Sequence, residues 1–119
     1  MPFDAASLQY DAKGLIACIT QDHASGEVLM FAFMSAQSVA QTLSTGRMTY
    51  WSRSRQALWV KGETSGHSQM LVELRIDCDR DALLALVRQE GPACHTGRRS
   101  CFYTAIRNAA EVEIRQPED

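Results

Sequence analysis

Two runs set the fold class of this chain: Gly14-Leu15-Ile16-Ala17-Cys18-Ile19-Thr20 and Val28-Leu29-Met30-Phe31-Ala32-Phe33-Met34, joined through Asp22-His23-Ala24-Ser25-Gly26. Both runs are apolar with β-branched or aromatic members, and the stretch between them is a turn cluster, so the pair reads as a β-hairpin. The second run is almost wholly apolar, which predicts a strand buried on both faces. A helix is expected over 35–46, with Ser35 able to cap its start and Gly46 to close its end. Residues 47–54 and 57–64 are strand candidates around the polar turn Ser54-Arg55-Gln56. Residues 69–78 alternate, with Met70, Val72, Leu74 and Ile76 on one side, as a half-buried strand does. The segment 81–90, ended by Gly91-Pro92, predicts a second helix. Two further strands are expected over 101–106 and 111–115. The elements do not alternate as parallel βαβ units require. The expected architecture is α+β: a strand-rich mixed sheet or barrel-like core with two helices.

Composition bounds the rest. The 119 residues are 45% hydrophobic and 22% charged, as in a soluble globular chain. That length suits a single domain over 1–119, with frayed ends at about 1–10 and 116–119. The net charge of −2 lacks the basic excess of a dedicated nucleic-acid binder. No apolar run approaches the roughly 20 residues of a membrane span. The start, Met1-Pro2-Phe3-Asp4-Ala5, has no basic segment leading into an apolar one, so a cytoplasmic location without a signal peptide is expected.

The four cysteines differ in their neighbours. Cys18 lies in an apolar run and reads as a small buried hydrophobe. Cys78 stands between two aspartates, Cys94 precedes His95, and Cys101 follows Arg98-Arg99-Ser100. In a reducing cytosol these three are not expected to form disulfides. They can be three soft metal ligands with one position left open, as in catalytic zinc sites. They can equally be unrelated free thiols. Their spacing matches no common zinc finger, and the His-x-Glu of the zinc deaminases does not occur.

Asp77-Cys78-Asp79-Arg80-Asp81 places three carboxylates two residues apart. On a continuing strand they would share a face, and their repulsion calls for a compensating cation; Mg²⁺ prefers such oxygen ligands. Cys78 would then point the opposite way, so an oxygen site and a sulfur site could lie back to back. The plain alternative is an acidic strand end with Asp79 or Asp81 capping the following helix. An EF-hand is excluded, because Ala82 and Arg88 stand where that loop needs Gly and Glu. The middle of the chain, Tyr50-Trp51-Ser52-Arg53-Ser54-Arg55 and Trp59-Val60-Lys61-Gly62-Glu63-Thr64-Ser65-Gly66-His67, combines aromatics able to stack on a base with cations and glycines suited to phosphate. It reads either as a nucleotide site or as two solvated hairpin tips with Trp51 and Trp59 in the core.

Taken together, these segments resemble the phosphoribosyl-AMP cyclohydrolase family of histidine biosynthesis. The resemblance runs from about Gly14 to Tyr103. Its carriers, in order, are Gly26-Glu27-Val28-Leu29-Met30, the Tyr50–Arg55 and Lys61–His67 segments, Asp77–Asp81, and Gly91-Pro92-Ala93-Cys94-His95-Thr96-Gly97 leading to Ser100-Cys101-Phe102-Tyr103. The resemblance implies zinc at Cys78, Cys94 and Cys101, shared between the subunits of a homodimer, and magnesium at Asp77, Asp79 and Asp81. It favours His95 as the catalytic group that takes or returns a proton, the usual work of histidine near neutral pH. The implied reaction is hydrolytic opening of the adenine ring of N1-(5-phosphoribosyl)-AMP at its C6–N1 bond, giving the formimino imidazole carboxamide ribonucleotide. Alkylation at N1 makes C6 the electrophile, and zinc acidifies a bound water toward neutrality. Trp51, Arg53, Arg55, Lys61, Thr64, Ser65 and His67 are the expected substrate-binding residues. Many relatives carry a downstream pyrophosphohydrolase domain; this chain stops at Asp119 and is expected to catalyse one step. The rival readings are a zinc-stabilised binding module, a nucleotide deaminase, and a redox switch at Cys94 and Cys101.

Overall fold

A computed structural model describes residues 1–118. The expected hairpin is present as β1 (Leu15–Asp22) and β2 (Val28–Ser35), antiparallel from Leu15↔Ser35 to Gln21↔Val28 with an irregularity between Thr20 and Gln21. Its turn is held by Asp22, whose carboxylate accepts from the N–H groups of Ala24 (3.1 Å) and Ser25 (2.8 Å). The helix α1 (Ala36–Thr45) begins at a capping box in which Ser35 and Ser38 exchange side-chain and backbone hydrogen bonds. It ends at Gly46, in the left-handed conformation that glycine adopts without a Cβ penalty. The Thr42 hydroxyl pins the helix to the following strand, donating to the Thr49 carbonyl and accepting from its N–H.

Six further strands follow: β3 (Thr49–Ser52), β4 (Ala57–Val60), β5 (Gln69–Ile76), β6 (Ala82–Gln89), β7 (Thr104–Arg107) and β8 (Ala110–Glu113). The first six form one sheet in the order β4-β3-β2-β1-β6-β5, and β7-β8 form a separate hairpin. The large sheet is mixed: β1 and β6 run parallel and the other pairs antiparallel. It curls into a half-barrel, because Met48 donates to Gln69 and Leu71 to Gly46, tying the β3 side to the far edge strand β5. Inside the curl lie Ile16, Cys18, Leu29, Met34, Val39, Met48, Tyr50, Leu83 and Val87. A polar chain crosses this core. Tyr50 Oη lies 2.7 Å from the Thr20 hydroxyl and donates to Gln69 Oε1 at 2.6 Å. Gln69 Nε2 then donates to Gln89 Oε1 at 2.8 Å.

Two expectations are corrected. The segment 81–90 is a strand, β6, not a second helix; among the described residues α1 is the one α-helix. Its Ala and Leu residues favour helix intrinsically. However, Leu83, Ala85, Val87 and Gln89 alternate into the core, and the backbone pairs with β1 on one side and β5 on the other. Tertiary pairing therefore overrides local propensity. Nor is β2 buried on both faces: Phe31 is 48% and Val28 39% exposed. Only the inner face of the sheet is covered within this chain, so the outer face keeps Ile19 and Phe31 in solvent. Elsewhere the strands are shorter than expected, because 53–56 and 61–68 are given over to turns. The expected frayed tail includes Asp119, which lies outside the described residues; just before it, Glu118 donates its N–H to the Gly97 carbonyl. No helix among the described residues is long and apolar enough to cross a membrane.

Candidate active site

Between the loop after β4 and the loop after β6 lies a cleft of about 460 Å³, walled by Arg55, Lys61, Thr64, Ser65, His67, Cys94 and His95 among others. The first wall is a tight turn from Gly62 to Gly66, closed by the Gly66 N–H on the Gly62 carbonyl at 2.9 Å. Gly62 has φ +80°, and a Cβ there would stand 2.4 Å from the His67 carbonyl carbon, so no other residue fits. The second wall is folded on itself: Ala93 N–H donates to Arg99 O, Cys94 N–H to Arg98 O and Gly97 N–H to Cys94 O. The walls meet where the His67 ring rests on Gly91; a Cβ on that glycine would lie 2.7 Å from His67 Cδ2.

The second wall is anchored to the sheet. Cys101 donates its N–H to Leu29 O at 2.7 Å, and the Ser100 hydroxyl donates to Val28 O at 2.7 Å. Arg99 reaches back to the buried Asp22 carboxylate at 2.9 Å and also donates to Gly91 O. The pKa of Asp22 is depressed, chiefly by the Ser25 N–H and hydroxyl, with Ala24 and Arg99 adding to it against the opposing effect of burial.

Of the expected zinc ligands, Cys94 and Cys101 are brought close enough for each to affect the other's ionisation. Burial raises the Cys94 thiol pKa, but the Thr96 hydroxyl (3.1 Å from Sγ), the Thr96 N–H, Cys101 and Lys61 more than offset that, leaving it below the ordinary value. Burial and the neighbouring Cys94 push Cys101 up to about 11. Two neighbouring thiols on one wall suit a soft metal ion. Cys78 is not with them. It sits in the β5–β6 turn at the opposite end of β6, a strand of roughly 23 Å at about 3.3 Å per residue. Cys18, by contrast, is fully buried, its thiol pushed up to about 12 by desolvation.

Asp77, Asp79 and Asp81 do converge, each offering a carboxylate oxygen within 4.8 Å of the others. They do so in a tight turn rather than along an extended strand, and no helix follows for them to cap. Arg80 takes φ +62° and donates its N–H to Asp77 O, while Asp77 Oδ1 accepts from Asp81 N (3.0 Å) and Ala82 N (3.2 Å). The hydrogen bond and charge of Asp77 raise the pKa of Asp81. Three solvent-facing oxygens at this spacing fit a hard divalent cation.

The remaining expected residues divide. Arg55, Lys61, Thr64, Ser65, His67 and His95 line the cleft. Trp51 and Arg53 do not: Trp51 is paired across the sheet with Phe33 and Leu58, and the Arg53 guanidinium lies 4.2 Å above the Phe33 ring. The family model of phosphoribosyl-AMP cyclohydrolase matches residues 30–103. The chain belongs to the phosphoribosyl-AMP cyclohydrolase family. A phosphoribosyl-AMP cyclohydrolase of Dinoroseobacter shibae is 71% identical over 117 residues, covering 98% of each chain. Those of Cereibacter sphaeroides (98% of each chain) and Paracoccus denitrificans (98% of this chain, 97% of the relative) are both 70% identical. The cyclohydrolase match takes in the aspartate turn, all three candidate thiols and both cleft walls.

Sequence reasoning passed over Asp22 and Arg99 as site-building residues. They lie 77 positions apart, and neither belongs to a local pattern that announces the pairing. Glu63 and Trp59 also line the cleft; Trp59, for which the sequence allows either a nucleotide site or the core, meets both, since it also packs on Tyr50 at 5.5 Å between ring centroids.

Proposed function

We propose that this chain is the phosphoribosyl-AMP cyclohydrolase of histidine biosynthesis, acting in the cytoplasm as a homodimer on the C6–N1 bond of the substrate's adenine ring. The observation that carries the reading is the cleft itself, which gathers Lys61–His67 and Cys94–His95 from distant parts of a chain belonging to that family. Zinc is held by Cys94 and Cys101 of one chain and Cys78 of the partner subunit, and magnesium by Asp77, Asp79 and Asp81. Two observations support the shared ligation: Cys78 lies at the far end of β6 from the other thiols, and the outer sheet face leaves Ile19 and Phe31 open. When bound, zinc supplies Lewis acidity that brings a water toward ionisation near neutral pH.

The residues of the chain do the rest. The exposed His95 imidazole stands at the cleft beside Cys94 and moves a proton between the attacking water and the departing ring nitrogen. Arg55, Thr64 and Ser65 present a cation and hydroxyls to the substrate's phosphates. His67, seated on Gly91, meets the ribose or a phosphate. The test is an ultraviolet assay of ring opening on phosphoribosyl-AMP, with and without a zinc chelator, together with an ammonia assay. Chelator-sensitive ring opening without ammonia is expected. Ammonia release would make the enzyme a deaminase, and undiminished activity in metal-free protein would sink the zinc reading.

A further inference from the structure

Among the cations of the cleft, Lys61 differs from the others in where its charge is directed. Arg55 is exposed. Lys61 is half-buried at the end of β4, its backbone N–H donating to Met48 O at 3.0 Å and its ammonium 5.3 Å from the Trp59 ring centroid. Its Nζ donates to the Ala93 carbonyl at 2.5 Å, a bond that spans 32 positions of sequence. That carbonyl belongs to the same peptide unit as the Cys94 N–H, which donates to Arg98 O at 3.0 Å. The peptide leading into Cys94 is therefore held at both ends, by Lys61 on its oxygen and by the loop on its nitrogen. A charge-assisted hydrogen bond to a carbonyl is stronger than a neutral one and restricts the rotation of that peptide. The same ammonium is within electrostatic reach of both Cys101 and Cys94. A pair of thiolates carries negative charge into a partly desolvated wall, and a fixed cation nearby offsets that cost.

We infer that Lys61 is a positioning residue of the thiolate centre: it orients Cys94 through the Ala93 carbonyl and balances the charge of Cys94 and Cys101, rather than serving as a phosphate ligand. This rests on the proposed zinc reading of those thiols. It makes Lys61 an outer partner of the metal, and removal of such partners typically lowers metal affinity about 10–100-fold.

The experiment measures zinc affinity by competition with a chromophoric chelator on the full-length protein, for wild type, K61M, K61R and C94S, alongside KM for phosphoribosyl-AMP. K61M keeps the length of the stem and removes the charge and the donor. Zinc affinity about 10–100-fold weaker in K61M, with KM changed less than about threefold and partial recovery in K61R, is the expected result. Unchanged zinc affinity with a KM raised about tenfold or more would make Lys61 a substrate ligand and overturn the inference. Unchanged zinc affinity and unchanged KM would overturn it equally. Should K61M fail to fold by circular dichroism, K61Q, which retains a donor without the charge, carries the same comparison. The zinc reading fails separately: in that case C94S binds zinc as tightly as wild type.

Discussion

The His95 side chain is exposed and stands next to a candidate zinc ligand, so its loss would remove the proposed proton carrier without opening a cavity. His95→Ala is expected to lower kcat by roughly 10²–10⁴-fold, with little change in KM and with zinc retained. Steady-state kinetics with elemental analysis checks this; a variant that simply sheds its zinc would move the proton-transfer role to His67 or an aspartate. His23, exposed in the β1–β2 turn, serves as the control and its alanine variant should resemble wild type. Tyr50 is fully buried, and its hydroxyl bridges Thr20 and Gln69. Tyr50→Phe leaves Gln69 Oε1 without that donor inside the core. A destabilisation of about 1–3 kcal/mol is expected from the unmade bond, to be read from chemical denaturation midpoints.

The elements that build the cleft are joined by a few buried polar contacts, of which the Asp22–Arg99 pair is the longest in sequence. Asp22 sits at the end of β1, and Arg99 carries the loop that presents Cys94 and Cys101. Because the folded-state pKa of Asp22 lies below its unfolded value, its stabilisation is complete above the ordinary carboxylate pKa of about 3.9. It is lost as the pH falls through the lower, folded-state value. Asp22→Asn should therefore cost about 1–3 kcal/mol at neutral pH and show a smaller loss of thermal stability than wild type as the pH is lowered. Equal acid sensitivity in the two proteins would show that the pair contributes nothing. Gly91 belongs to the same scale. It takes φ +70° against the His67 ring, so Gly91→Ala must displace that ring and is expected to raise KM more than it lowers stability.

At the scale of the whole molecule, the half-barrel leaves one sheet face uncovered and puts Cys78 at the wrong end of β6 to join the other thiols. The proposed homodimer, with a second copy packed across that face, would resolve both. Phe31 is the largest apolar side chain exposed on the β1–β2 pair. Phe31→Glu is expected to give a folded monomer by sedimentation and, with the third thiol withdrawn, to lose most of its zinc and its activity. A monomer with full zinc and full turnover would show that one chain suffices. Elemental analysis of the wild type should find one zinc per chain, with magnesium held more weakly at the exposed aspartate turn.

What the sequence determines alone is local. The β1–β2 hairpin and the α1 caps at Ser35 and Gly46 follow from interactions within a few residues and are found where the pattern places them; the aspartates of 77–81 are grouped as expected, but by a turn rather than a continuing strand. The chemical character of the site is legible only through the family resemblance, because each group of thiols, carboxylates and cations taken alone also has a plain structural reading. The structure of the 81–90 segment is decided otherwise. Ala82-Leu83-Leu84-Ala85-Leu86-Val87 is compatible with helix or buried strand, and only the vacancy between β1 and β5, each pairing with it over most of its length, selects the strand. The same long-range packing turns Lys61 toward Ala93, brings Arg99 to Asp22, and separates Cys78 from Cys94 and Cys101. Those relations depend on which strands lie side by side, and side-by-side placement is a property of the closed sheet rather than of any stretch of chain.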